Sequence, residues 1–129
     1  MGTFSFPKKY KLKSNKAIAA IFKQKVSVGA YPLRVFYLKT ESIENEPCLK
    51  VAFSVSKKYF KRAVDRNRVK RLMREAFRMD KNRLEMNLME KNIAISAMLV
   101  YVSPEICNFK EMQKAVKKSI DRFLNQIEN

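Results

Sequence analysis

With 129 residues, 47% of them hydrophobic and 11% aromatic, the chain has the length of one domain with a modest core, and wholesale disorder is excluded. Lysine and arginine number 28 against 12 acids, a formal net charge of +16, which speaks to association and names a polyanion as partner, nucleic acid first. Zero histidines remove the commonest general base and transition-metal ligand, and two glycines leave no Gly-rich phosphate loop.

Residues 1–13, MGTFSFPKKYKLK, read as a basic arm in which Phe4, Phe6 and Tyr10 anchor part of the segment; with no following apolar stretch, a secretory signal is not expected. Ser14 or Asn15 caps a predicted short helix over residues 16–24, with Ile18, Ile21 and Phe22 as its apolar stripe. A strand follows over residues 33–38, with Pro32 near its start where a missing donor is tolerable. The acidic, Pro-bounded ESIENEP at residues 41–47 is predicted to close a hairpin. In the next strand, residues 49–55, Leu49, Val51, Phe53 and Val55 alternate with Lys50, Ala52 and Ser54, the pattern of a half-buried strand.

Residues 63–78, AVDRNRVKRLMREAFR, read as a helix with one apolar arc: Val69, Leu72, Met73, Ala76 and Phe77. Cations crowd the other side, and the i,i+4 row Arg62, Arg66, Lys70, Arg74 and Arg78 repels itself unless a polyanion neutralises it. KNRLEMNLMEKN, residues 81–92, gives a further helical turn or two, and residues 93–102 form a buried strand stopped before Pro104, about half as long as the roughly 20 residues a membrane span needs. Asn108 with Glu111 makes a capping-box start for a last helix, striped by Phe109, Met112, Val116, Ile120, Phe123, Leu124 and Ile127, with Lys110, Lys114, Lys117, Lys118 and Arg122 outside. The order helix, strand, strand, helix, strand, helix is that of a single α+β domain in which helices cover a small mixed sheet, with an ordinarily right-handed crossover around the basic helix.

The acids form no evident metal-binding pair, and the densest cluster, Glu41, Glu44 and Glu46, is explained by an exposed loop. No catalytic or metal-ligating residue is therefore predicted. Cys48 and Cys107 lack metal-ligand spacing and read as reduced thiols, so a cytoplasmic location is expected. For the basic helix, a merely solvated charged face is the plain alternative. Against it, five arginines outnumber the single lysine in residues 63–78, guanidinium suits bidentate phosphate contacts, and only Asp65 and Glu75 balance them. A membrane-surface helix would spend the apolar arc that the core needs. Aromatics beside cations also stack on unpaired bases; Phe36 and Tyr37 must face opposite ways, so one at most serves a given sheet face, with core packing the alternative for each.

SVSKK at residues 54–58, a short spacer and AVDRNRVKRLMREAFR resemble the protein component of bacterial ribonuclease P, whose signature is the RNR at Arg66 to Arg68 followed by Lys70, Arg71, Arg74 and Glu75. The resemblance extends to nearly the whole chain. It implies a two-layer α/β sandwich with a mixed four-stranded sheet, the order α-β-β-β-α-β-α, and a left-handed βαβ crossover like that of certain ribosomal proteins, in place of the usual hand. It implies that a large RNA is the catalyst and that magnesium, bound mainly by that RNA and the substrate, activates the water that removes the 5′ leader of precursor tRNA. By this resemblance Arg62, Arg66, Asn67, Arg68, Lys70, Arg71 and Arg74, with Ser56, Lys57 and Lys58, contact ribonuclease P RNA, and Ile18, Phe22 and Phe36 line a cleft for the leader. Ile18 stands where relatives often carry an aromatic, so stacking is not expected there. The partners implied are ribonuclease P RNA and precursor tRNA, with no membrane and no obligate protein partner. Another class with the same charge and fold type is a ribosomal or chaperone-like RNA-binding protein. Replacing Arg66 and Arg68 with alanine is expected to weaken RNA binding and flatten its salt slope with the fold intact, while Leu72→Ala would cost about 2–5 kcal/mol if that residue is fully buried.

Overall fold

The computed structural model of the chain describes residues 27–41 and 47–128. Its elements run β1 (Ser27–Val28), β2 (Leu33–Glu41), β3 (Leu49–Val55), α1 (Ala63–Lys91), β4 (Ile93–Tyr101) and α2 (Phe109–Glu128). The predicted arm, the predicted first helix with Ile18 and Phe22, and residues 42–46 lie outside the described residues.

The sheet order is β1-β2-β4-β3. β2 runs antiparallel to β4, from Leu33 opposite Tyr101 to Glu41 opposite Ile93, and β3 runs parallel to β4, from Leu49 opposite Ile95 to Val55 opposite Tyr101. The hairpin expected at residues 41–47 is thereby corrected: β2 and β3 do not pair, because β4 lies between them. Turn residues announce that the chain reverses but not which strand it will meet, and β4, IAISAMLVY, is apolar enough on both faces to take the central place. α1 carries the chain from the end of β3 back to the start of β4, as parallel neighbours require.

Alternation directs Leu33 and Val35 of β2, Leu49, Val51 and Val55 of β3, and Ile95, Ala97, Leu99 and Tyr101 of β4 into one buried cluster with both helices. α1 contributes Val69, Met73, Ala76, Phe77, Leu84 and Leu88, and α2 contributes Met112, Val116, Ile120 and Phe123. Both helices therefore cover one sheet face, and each large side chain so buried stabilises the fold by about 1.5–3 kcal/mol.

α1 is a single helix of 29 residues, longer than the sequence pattern indicated: KNRLEMNLMEK continues it without a break. Residues 63–91 hold no Gly or Pro, and Leu84 and Leu88 prolong the buried stripe seven and eleven positions after Phe77. It ends where Asn92 takes the left-handed conformation (φ 54°, ψ 40°), which asparagine tolerates better than most residues. α2 opens with the reciprocal capping box read from the sequence: Glu111 N–H donates to Asn108 Oδ1 at 2.8 Å, and Asn108 N–H donates to Glu111 Oε1 at 3.5 Å. The turn between β1 and β2 is held to α2, since Ala30 N–H donates to the buried Ser119 Oγ at 3.0 Å and Arg122 donates to Gly29 O at 2.7 Å. Gly29 has φ 142°, and a Cβ there would meet Leu33 O at 2.8 Å, so the turn admits no side chain at that position.

Candidate nucleic-acid interface

Residues 56–62, between β3 and α1, are fixed by their own backbone and by one arginine. Phe60 N–H donates to Ser56 O at 3.2 Å and Lys58 N–H to Ser56 Oγ at 3.1 Å, which folds the chain back after β3. Phe60 is buried, its ring 6.2 Å from that of Tyr101. From the helix, Arg66 Nη1 donates to both Phe60 O and Lys61 O at 2.8 Å. With Phe60 turned inward, Lys57, Lys58 and Tyr59 are exposed, and Lys58 Nζ lies 5.8 Å from the Tyr59 ring centroid. Ser56 is half-buried beneath them.

On α1 each residue advances by about 100°, so the buried Val69, Met73, Ala76 and Phe77 define the inward direction and the cations grade away from it. Arg66, Lys70 and Arg74, each i+4 from the last, are half-buried along the flank nearer β3, where the Arg74 guanidinium carbon is 6.0 Å from the Phe53 ring centroid. Arg62, Asn67, Arg68 and Arg71 are exposed. Leu72, placed by its spacing on the apolar arc, is half-buried and packs at the rim of the core.

The two halves of α1 differ in charge compensation. Toward the C-terminus, Lys81 pairs with Glu85 at 3.7 Å, and Arg83 pairs with Asp80 at 2.7 Å and with Asp121 of α2. Toward the N-terminus, none of Lys57, Lys58, Arg62, Arg66, Arg68, Lys70, Arg71 and Arg74 forms an ion pair with a described carboxylate. The N-terminal end of a helix adds a further partial positive charge, so cations gathered there are costly without an anion. The arrangement holds a row of cations at i, i+4 spacing on one helix beside a pinned loop.

Phe36 lies elsewhere. Its neighbour Tyr37 points to the helices, ring centroids 4.7 Å from Phe123 and nearly perpendicular to it, so by alternation Phe36 is on the opposite sheet face, in register with Met98 of β4, which in turn pairs with Ala52 of β3. Phe36 thus lies on the sheet face opposite the one α1 covers, while Ile18 and Phe22, expected beside it, lie outside the described residues. Among the described residues no group of three or more His, Cys, Asp or Glu comes together, and no helix is long and apolar enough to cross a membrane. Cys48 and Cys107 are free thiols. Burial, and then the contact with Cys107, pushes the Tyr101 phenol up to about 12; its hydroxyl donates to Glu105 O at 2.6 Å and accepts from Cys107 N–H at 3.1 Å.

Two residues escaped the sequence reading. By spacing alone Arg66 belongs with the outward-facing arginines, whereas in the structure it clamps the loop that precedes its helix. Tyr59 is the other, and its signal in the sequence is an aromatic inside the basic string KKYFKR, residues 57–62.

The family model described as ribonuclease P matches residues 6–124. The "Ribonuclease P protein component" of Porphyromonas gingivalis is 36% identical over 125 residues, 97% of this chain and 90% of the relative, and that of Chlorobium phaeobacteroides is 45% identical over 75 residues, 57% of this chain and 51% of the relative. Among solved structures, the ribonuclease P protein of Staphylococcus aureus superposes with a TM-score of 0.62 at 23% identity, over 87% of this chain and 93% of that one, a likeness of fold. The mixed four-stranded sheet, the basic helix after β3 and these matches agree, and the chain belongs to the ribonuclease P protein component family.

Proposed function

We propose that the chain acts in ribonuclease P by docking the N-terminal half of α1 and the loop at residues 56–58 onto the catalytic RNA, while the opposite sheet face around Phe36 receives the single-stranded 5′ leader of precursor tRNA. The observation that carries this reading is a helix whose N-terminal cations form no ion pair with a described carboxylate, while those of its other half are paired within α1 and to α2. Exposed Arg62, Arg68 and Arg71, with Lys57 and Lys58, suit RNA phosphates; Arg66, Lys70 and Arg74 add charge at the flank, Asn67 adds a neutral donor, and Ser56 shapes the loop. On this reading the RNA performs the cleavage that yields the mature tRNA 5′ end, and the protein lowers the electrostatic cost of bringing RNA and substrate together. On this reading magnesium is held mainly by the RNA and the substrate. Cytoplasmic function with no membrane follows from the same role.

The test is reconstitution. Adding the purified chain to a bacterial ribonuclease P RNA at low magnesium is expected to stimulate precursor cleavage steeply, and the stimulation should decline as salt rises. No stimulation over RNA alone would sink the proposal. The ribosomal or chaperone-like alternative predicts instead stable association with ribosomal subunits and no precursor processing defect on depletion.

A further inference from the structure

The loop at residues 56–62 is built more rigidly than a phosphate contact requires. Phosphates are met by long, adaptable lysines and arginines, which need little backbone precision. Here the backbone is nevertheless fixed from three directions: Ser56 holds Lys58 and Phe60, Phe60 is sunk against Tyr101, and Arg66 binds the carbonyls of Phe60 and Lys61. The side chain whose orientation this settles is that of Tyr59, since its neighbour Phe60 is turned into the core and leaves Tyr59 facing out, 41% exposed.

An exposed tyrosine ring is apolar area left in water, and the fold gains little from it there. Lys58 places its ammonium over the ring at 5.8 Å, and Lys57, Lys61 and Arg62, all exposed, surround it in sequence. A flat ring presented outward from a pinned backbone and flanked by cations is the combination that captures an unpaired base: the cations hold the sugar-phosphate chain and the ring supplies a stacking surface for any sequence. Because the backbone beneath the ring is pinned before binding, little backbone entropy is lost when a base settles on it.

We propose that Tyr59 is a base-stacking residue for an unpaired nucleotide of the RNA docked on α1, with Phe60 and Arg66 as the positioning residues that hold it out. The proposal deepens the docking reading and rests on it. Stacking and phosphate contacts separate cleanly in solution, because only the second releases counterions and sets the slope of log affinity against log salt.

The experiment measures binding of the full chain to a labelled bacterial ribonuclease P RNA across a potassium chloride series, for the unaltered protein and for Tyr59→Phe, Tyr59→Leu and Tyr59→Ala. Tyr59→Phe keeps the ring and should bind within about twofold of the unaltered chain. Tyr59→Leu and Tyr59→Ala should weaken binding roughly 10- to 100-fold, the range for losing one base–aromatic stack, with the salt slope unchanged. Chemical probing should find an unpaired base protected by the unaltered chain and by Tyr59→Phe but reactive with Tyr59→Leu, whose similar bulk and matching thermal unfolding midpoint exclude misfolding as the cause. Tyr59→Leu binding as tightly as the unaltered chain would overturn the proposal and leave the docking reading standing, as would a loss that appears only as a flattened slope. Failure of the unaltered chain to prefer this RNA over an unrelated duplex would overturn the docking reading itself, and the stack with it.

Discussion

Arg66 and Arg68 stand two residues apart in the RNR string, yet the structure gives them different work, and replacing each separately should show it. Arg66 spans two carbonyls at 2.8 Å, one of them in a part-buried setting; Arg68 is exposed and makes no ion pair with a described carboxylate. A hydrogen bond from a charged donor contributes about 1.5–3 kcal/mol when shielded and less where water competes, so Arg66→Ala, which loses one of each kind, should cost about 2 kcal/mol. For a domain of this size that lowers the thermal midpoint by roughly 6–12 °C. Arg68→Ala should stay within about 0.5 kcal/mol of the unaltered chain. In RNA binding the order reverses: Arg68→Ala should reduce the salt slope by about one unit, as loss of one phosphate contact does. Arg66→Lys tests the clamp specifically, because it keeps the charge but lacks the planar fork that reaches both carbonyls, and it should lose stability while largely keeping the slope. Differential scanning calorimetry and salt-titrated binding decide the matter. Equal midpoints for the unaltered chain and Arg66→Ala would refute the reasoning, and so would a salt slope unmoved by Arg68→Ala.

Met73→Ala, at a fully buried position, should destabilise by about 2–5 kcal/mol in chemical denaturation, and Leu72→Ala at the core rim by distinctly less, in contrast to the larger cost expected from its spacing alone. Ser119→Ala should leave the Ala30 amide buried without its acceptor, costing about 1–3 kcal/mol and speeding hydrogen exchange at that amide. Tyr101 has a phenol raised from 10.0 to about 12 in the folded chain, so its contribution is complete below pH 10 and is lost as pH rises toward 12. The unfolding free energy of the unaltered chain should therefore fall between those values more steeply than that of Tyr101→Phe, by up to about 1.4 kcal/mol per pH unit, and parallel curves would refute the assignment.

The parts of the fold that local chemistry controls were legible. The period of Val69, Met73, Ala76 and Phe77 located the buried side of α1, the alternation of Leu49, Val51 and Val55 located that of β3, and Asn108 with Glu111 marked the start of α2 to the residue. Sheet order was not legible, because nothing in ESIENEP distinguishes a return to an adjacent strand from a step across β4. The same limit hid the length of α1, whose later turns are held by Leu84 and Leu88 in the tertiary core as much as by their own propensity. At the interface, residue type and spacing identified the cations, and the resemblance turned them into an RNA-docking expectation. Only coordinates could show that Arg66 turns back on its own loop, since a side chain's choice between a phosphate and a nearby carbonyl leaves no trace in composition.

β4 sends Ile95, Ala97, Leu99 and Tyr101 toward the helices and Ser96, Met98 and Val100 toward the face that carries Phe36. It is bonded along its whole length to β2 and along seven residues to β3. A slip of one residue would exchange the two sets at once, pushing core side chains onto the face that carries Phe36 and unseating α1 from the other. The strand therefore works as a ruler read from both sides, fixing where the basic helix lies relative to the face that carries Phe36, and a chain with β4 out of register would lose both arrangements in a single event.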